Sequence, residues 1–96
     1  MNTTIDDSWC VYIIRSDDNL LYTGITNNLA RRWHAHLHRR SGAKFFRGRK
    51  PEQILYVEEG HDRSSASKRE AVIKRLKRVQ KSQLIATQRG LDWSIE

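Results

Sequence analysis

The spacing of apolar residues changes period along the chain, and each change predicts an element. From Trp9 to Arg15 the sequence WCVYIIR is rich in β-branched and aromatic residues. Asp17-Asp18-Asn19 is turn chemistry, and Leu20 to Thr26 (LLYTGIT) returns to strand composition. This pattern predicts a β-hairpin. Side chains alternate faces along a strand, so an odd-length connection such as Asp17-Asp18-Asn19 puts Tyr12 and Tyr22 on one face, within about one pair of each other. A two-residue turn separates them.

The period then lengthens. Asn27 and Asn28 are helix N-cap residues, and Leu29, Trp33 and Leu37 recur at four-residue steps, predicting a helix from about Leu29 to Arg39. Arg32 and His36 border this stripe one turn apart, while His34 and His38 project to the solvent side. Arg39 to Pro51 (RRSGAKFFRGRKP) holds two glycines and the only proline among many cations, and reads as a loop. Gln53 to Val57 (QILYV) is a third strand. Ser64 or Ser65 caps a long helix whose inner face is Val72, Ile73, Leu76 and Val79, with a second helical piece to about Thr87. That second piece either continues straight or breaks near Gln80. The tail from Gly90, with Trp93, packs on the body or frays.

Size and charge narrow the function classes. Ninety-six residues with 38% apolar side chains suit a single domain over residues 1–96, with its core at about 9–87 and no room for a dinucleotide cofactor. The net charge of +7 points to a polyanionic partner. Its distribution sharpens the point, because no acid occurs between Asp18 and Glu52 while eight Lys or Arg do. From Ser64 to Gln88, seven Lys or Arg surround a single acid, Glu70. Lys44, Arg47 and Arg49 in the loop and Lys74, Lys77 and Lys81 on the late helices are the candidate nucleic-acid contacts. The single Cys10 excludes an internal disulfide and is expected to be buried and inert. No secretory signal and no apolar run long enough to cross a bilayer is visible, so a cytoplasmic protein without membrane contact is expected.

Tyr12, Tyr22, Arg32, His36 and Glu70 match the needs of phosphodiester hydrolysis: a nucleophilic water, a base, a cation against developing charge and support for the leaving oxygen. Glu70 is a hard oxygen ligand suited to Mg²⁺, which keeps several waters and uses one or two carboxylates plus substrate phosphate. Its ordinary alternative is an i,i+4 ion pair with Lys74. In one continuous helix Glu70, Lys74, Lys77 and Lys81 form a single row. Arg32 offers a planar fork for two phosphate oxygens, and His36 can share a proton near neutral pH. A tyrosine acts as base only if nearby cations lower its pKa, and Tyr12 is the choice for that role. Gly24, two residues after Tyr22, allows close approach to the same strand face or marks a bulge.

The hairpin with Tyr12 and Tyr22-Thr23-Gly24, the segment Asn28-Leu29-Ala30-Arg31-Arg32 and the later Glu70 resemble the GIY-YIG nuclease family, in particular its small stand-alone bacterial branch. The likeness runs from about Trp9 to Ile85. It implies an α+β fold, a small three-stranded antiparallel sheet flanked by helices, that cuts DNA with one divalent metal, Mg²⁺ or Mn²⁺. Tyr12 and Tyr22 stand at the motif tyrosines and Arg32 at the phosphate-binding arginine. His36 stands at the polar residue one turn later, and Glu70 at the metal-binding glutamate. The motifs read Cys10-Val11-Tyr12 and Tyr22-Thr23-Gly24 rather than Gly-Ile-Tyr and Tyr-Ile-Gly. Lys81-Ser82 stands where several members carry an asparagine. A metal-dependent endonuclease acting on DNA, or alternatively on RNA, is therefore expected, as a monomer. The competing readings are a non-catalytic nucleic-acid-binding module on the same fold and an adaptor for an acidic protein.

Overall fold

The computed structural model describes residues 8–38, 43–88 and 93. Its elements are β1 (Trp9–Ser16), β2 (Leu21–Thr26), α1 (Leu29–Leu37), a short 3-10 turn (Lys44–Phe46), β3 (Pro51–His61), α2 (Arg63–Lys74) and α3 (Arg78–Ala86). The strands form one antiparallel sheet in the order β2-β1-β3, so the first strand is central and the other two are edges. This is the α+β architecture expected, a three-stranded antiparallel sheet with helices on both faces.

Because β1 is central and covered on both sides, its residues split by parity into two cores. Cys10, Tyr12 and Ile14 face Phe46, Ile54 and Val57, with Leu29, Trp33 and Trp93 packed against them. Val11 and Ile13 face Tyr56, Ala66 and Ile73, joined by Leu84 and Ile85. Thus α1 and the 3-10 turn close one face, and α2 and α3 the other. Burial raises the Cys10 thiol pKa to about 11, the more so for Glu59 nearby, which leaves it an inert core thiol.

The hairpin connection has the predicted parity. Ser16 and Leu20 close a three-residue loop, with Asn19 N–H donating to Ser16 O at 3.0 Å and Ser16 N–H to Leu20 O at 2.9 Å. Asn19 carries the positive φ of 65° that such loops place at their last position, a conformation asparagine tolerates. Register then runs Arg15↔Leu21, Ile14↔Tyr22, Tyr12↔Gly24 and Cys10↔Thr26 without a shift.

At the start of α1, the Asn28 side chain accepts from Arg31 N–H at 3.1 Å, and Thr26 Oγ1 accepts from Asn28 N–H at 3.0 Å. The helix ends at Leu37, and Arg39, where its end was expected, lies outside the described residues, as does most of the tail from Gly90. Trp93 is described, and packs against the Tyr12 core.

The late helices depart from expectation. The cap of α2 is Asp62 rather than Ser64 or Ser65: Asp62 Oδ1 accepts from Ser65 N–H at 2.7 Å, and Ser65 Oγ accepts from Asp62 N–H at 3.2 Å. Of the expected inner face, Ile73 is buried and Leu76 half-buried, whereas Val72 is 46% and Val79 63% exposed. The actual stripe is Ala66 and Ile73, seven residues apart, and the chain leaves the helix after Lys74, before Val79 is reached. The break falls at Arg75–Lys77, earlier than Gln80. Gln80 instead opens α3, its Oε1 accepting from Lys77 N–H at 2.9 Å.

Strand β3 is longer than its apolar core predicts. It continues through Glu58-Glu59-Gly60 because Trp9 and Val11 of the central strand pair with His61 and Glu58. On its outer edge the Gln88 side chain substitutes for a neighbouring strand, accepting from Val57 N–H at 3.1 Å and donating to Val57 O at 2.7 Å. No helix among the described residues is long and apolar enough to cross a membrane.

Candidate active site

Four of the five expected residues meet on the α1 side of the sheet. Tyr12 lies in the central strand and Tyr22 in the edge strand, on the same face and one pair apart, with ring centroids 6.1 Å from each other. Between them stands Gly24, directly opposite Tyr12. A β-carbon there would sit 2.5 Å from Tyr12 Oη, 2.7 Å from its Cζ and 2.9 Å from Tyr22 Cε2. Close approach, and not a bulge, explains this glycine: the neighbour it admits is the phenol of Tyr12.

His36 reaches the same point from α1. Its Nε2 is 2.9 Å from Tyr12 Oη, and its Nδ1 accepts from Ala43 N–H at 3.3 Å. With Nδ1 accepting, the neutral ring carries its proton on Nε2 and donates it to the phenol oxygen. His36 and Tyr12 are both fully buried. Burial, reinforced by the Arg32 charge, lowers the His36 pKa to about 4, which keeps the ring neutral.

Arg32, one turn before His36, hydrogen-bonds with both phenols. Burial works against its charge, but Tyr12 and then Tyr22 outweigh it and raise its pKa. Tyr12 Oη therefore accepts from two directions. Even so, burial and then the neighbouring Tyr22 push the Tyr12 pKa up, with Arg32 only partly opposing them. The condition set for Tyr12 as base, a pKa lowered by nearby cations, is not met in this arrangement. A fully buried phenol on the central strand is shielded from water and holds its proton, however basic its surroundings. Tyr22 is only half-buried, and its ring is clasped by His36 at 5.3 Å, Phe45 at 5.3 Å and Phe46 at 5.2 Å.

Glu70 stands on α2, in the opposite layer, and is 21% exposed, with Oε2 3.3 Å from Lys74 Nζ. Its ordinary i,i+4 partner is therefore present. Among the described residues no group of three His, Cys, Asp or Glu is placed to hold a metal ion. A closed, fully protein-ligated site does not fit this donor set. A single carboxylate suits a hydrated Mg²⁺ that takes most of its ligands from water.

The candidate phosphate contacts divide. Lys44 and Arg47 are exposed on the 3-10 turn and just after it, on the Tyr12 side of the sheet. Arg49 is turned to internal use: its Nε donates to Asp18 at 3.0 Å, its Nη1 to Phe45 O at 2.9 Å, and its guanidinium lies 4.7 Å over the Phe45 ring. It clamps the loop to the hairpin and steadies the ring that packs on Tyr22. Lys74 belongs to α2, whereas Lys77 and Lys81 lie beyond the break, so the expected straight row through Glu70, Lys74, Lys77 and Lys81 does not exist.

The sequence also gave little notice of the network that ties α2 to the sheet. Glu58 on β3 accepts from Tyr56 Oη at 2.7 Å and from Arg69 Nε at 3.1 Å to each oxygen, and lies 2.7 Å from His61 Nε2. Burial disfavours its charge, but Tyr56, His61 and Arg69 together hold its carboxyl below the usual range. Arg69 directly precedes Glu70, so this anchor fixes the stretch of helix that carries the glutamate. In the sequence Glu58 and Arg69 merely bound a polar stretch, eleven residues apart, with nothing to pair them.

Known proteins place this architecture. A UPF0213 protein of Desulfotalea psychrophila is 45% identical over 84 residues, covering 86% of this chain and 76% of the relative. One from Oceanobacillus iheyensis is 44% identical over 84 residues, covering 88% and 96%. The solution structure of a UPF0213 protein from Bacillus halodurans superposes with a TM-score of 0.54 at 32% identity, covering 85% of this chain and 86% of that one. The model of the GIY-YIG catalytic domain matches residues 8–83. With that match spanning both tyrosine strands, α1, β3 and α2, the chain belongs to the GIY-YIG family.

Proposed function

We propose that the protein is a metal-dependent endonuclease that hydrolyses phosphodiester bonds in DNA. The observation that carries the reading is the arginine shared by two phenols beside a neutral, buried histidine. Such an arrangement holds a fixed cation where a phosphate can dock, and the family membership gives the cation a substrate of that kind.

In this mechanism Arg32 takes two non-bridging oxygens of the reacting phosphate in its planar fork and offsets the charge that grows on them as water attacks in line. The half-buried Tyr22 orients the attacking water; as the new P–O bond forms and the bond to the leaving oxygen breaks, the water's proton passes to solvent and the leaving oxygen takes a proton from solvent. Tyr12 and His36 are positioning residues: the histidine donates to the Tyr12 oxygen, and Tyr12 in turn fixes Arg32. Glu70 is the residue that would hold Mg²⁺ or Mn²⁺, which when bound supplies further neutralisation of the phosphate. Lys44 and Arg47 carry the electrostatic attraction to the flanking backbone.

Incubating supercoiled plasmid and labelled DNA and RNA structures with the protein, with Mg²⁺, Mn²⁺ or chelator, tests this. Metal-dependent nicking that disappears in Glu70→Ala is expected, and full activity in Glu70→Ala sinks the assignment. A non-catalytic nucleic-acid-binding module is the second reading, favoured by Lys81-Ser82 standing where the family resemblance implies an asparagine. It predicts retained binding with no nicking by the native chain.

A further inference from the structure

A groove of about 970 Å³ opens beside the tyrosine cluster, at the end of the sheet where β1 begins, β2 ends and α1 starts. Its working surface is Trp9, Asn27, Arg31, Arg32, His34 and His38, and none of the described residues lining it is a carboxylate. Arg32 belongs both to this groove and to the cluster around Tyr12 and Tyr22. A polymer whose phosphate is held by Arg32 therefore has a cationic channel leading away from it. Residues 31, 34, 35 and 38 share one edge of α1, so the solvent-side histidines, His34 half-buried and His38 exposed, also form a wall of the groove.

The walls also carry flat π surfaces. The His34 and His38 rings are nearly parallel, with an interplanar angle of 12° and centroids 5.9 Å apart. Trp9 is half-buried, with the Arg63 guanidinium 5.7 Å from its ring. Basic grooves that track a backbone while offering rings to bases are the usual means of holding unpaired strands. Bases within a duplex are stacked on one another and present no face to such walls.

We propose that this groove holds an unpaired nucleic-acid strand adjoining the phosphate at Arg32, with Arg31 on the neighbouring phosphate and His34, His38 and Trp9 against its bases. This inference rests on the endonuclease reading for the phosphate at Arg32, but its readout is binding and not cleavage.

The test is fluorescence anisotropy of a labelled 12-nucleotide thymidine strand and of a duplex of equal length, in chelator, as a function of salt. Native protein is compared with Arg31→Gln, with a His34→Ala/His38→Ala double variant and with Lys44→Gln/Arg47→Gln, each checked for folding by circular dichroism. Loss of strand affinity by about tenfold in the two groove variants is expected, with a salt slope reduced by about one for Arg31→Gln. Duplex binding should change less. Groove variants that bind the strand like native protein, or that lose strand and duplex equally, overturn the proposal. Strand binding through the groove without metal-dependent cleavage upholds the groove and removes the enzyme. Cleavage with unaffected groove variants does the reverse, and no binding by the native chain removes both.

Discussion

Replacing Gly24 with alanine probes the packing on which the site depends. The new methyl carbon would lie 2.5 Å from Tyr12 Oη and 2.7 Å from Cζ, far inside contact distance, and Tyr12 cannot yield easily. It is fully buried, and its oxygen is fixed by His36 at 2.9 Å and by Arg32. Overpacking of this kind costs about 1–3 kcal/mol. Gly24 has no positive φ, so alanine regains about 0.4–1 kcal/mol by restricting the unfolded chain. The net loss is about 1–2 kcal/mol, which for a domain of this size lowers Tm by roughly 5–15 °C. Activity should fall further than unfolding explains, because the phenol that yields is the one holding Arg32. Thermal melts and nicking rates at a temperature where Gly24→Ala is fully folded measure the two effects. Pairing it with Tyr12→Phe, which removes the atom in closest contact, should recover part of the stability through a coupling of about 0.5 kcal/mol or more. A Gly24→Ala protein as stable and as active as the native one refutes the reasoning.

Two further predictions concern acid. His36 is neutral in the folded protein, with its pKa lowered from 6.5 to about 4, so between these values the unfolded chain binds the extra proton. Stability should be complete above pH 6.5 and decline as pH falls towards 4, by on the order of 3 kcal/mol in all. Urea midpoints at several pH values should show this slope flattened in His36→Gln, and an unchanged slope contradicts it. Glu58 has a lowered carboxyl pKa, so its contribution is present above its ordinary value of 4.5 and is lost as pH falls below it. Glu58→Gln should cost about 1–3 kcal/mol at neutral pH and flatten that lower limb of the profile. Equal stability of this variant at pH 7 removes the network's role in anchoring α2.

Much of the fold follows from short-range rules. The hairpin, its odd loop, the Asn28 cap and the shared face of Tyr12 and Tyr22 depend on turn chemistry and a period of two, all local to the chain. Which tyrosine meets solvent does not, because that depends on strand order: β3 pairs with β1 and makes Tyr12 central, leaving Tyr22 on an edge. The break between α2 and α3 was hidden for a related reason. No glycine or proline marks Arg75–Lys77, and Val72, Ile73, Leu76 and Val79 form a plausible stripe until tertiary packing selects Ala66 and Ile73. Arg49 looked like a phosphate contact because its partner Asp18 is 31 residues away in sequence. Helix spacing made it legible that Arg32 and His36 share an edge of α1; that this edge meets the tyrosines was implied only by the family resemblance. Glu70 stands in the opposite layer, and its proposed part as metal ligand rests on its chemistry and not on contact with that group.

The central claim is that the planar fork of Arg32, fixed by the two tyrosines, stabilises the phosphate during attack. Its most direct test is the single-turnover rate of DNA cleavage by Arg32→Lys at saturating protein, with Mg²⁺ and with folding verified. Lysine keeps the charge but loses the fork and its bonds to the phenols, so the rate should fall about 10²–10³-fold. A rate for Arg32→Lys equal to that of the native protein would contradict the account.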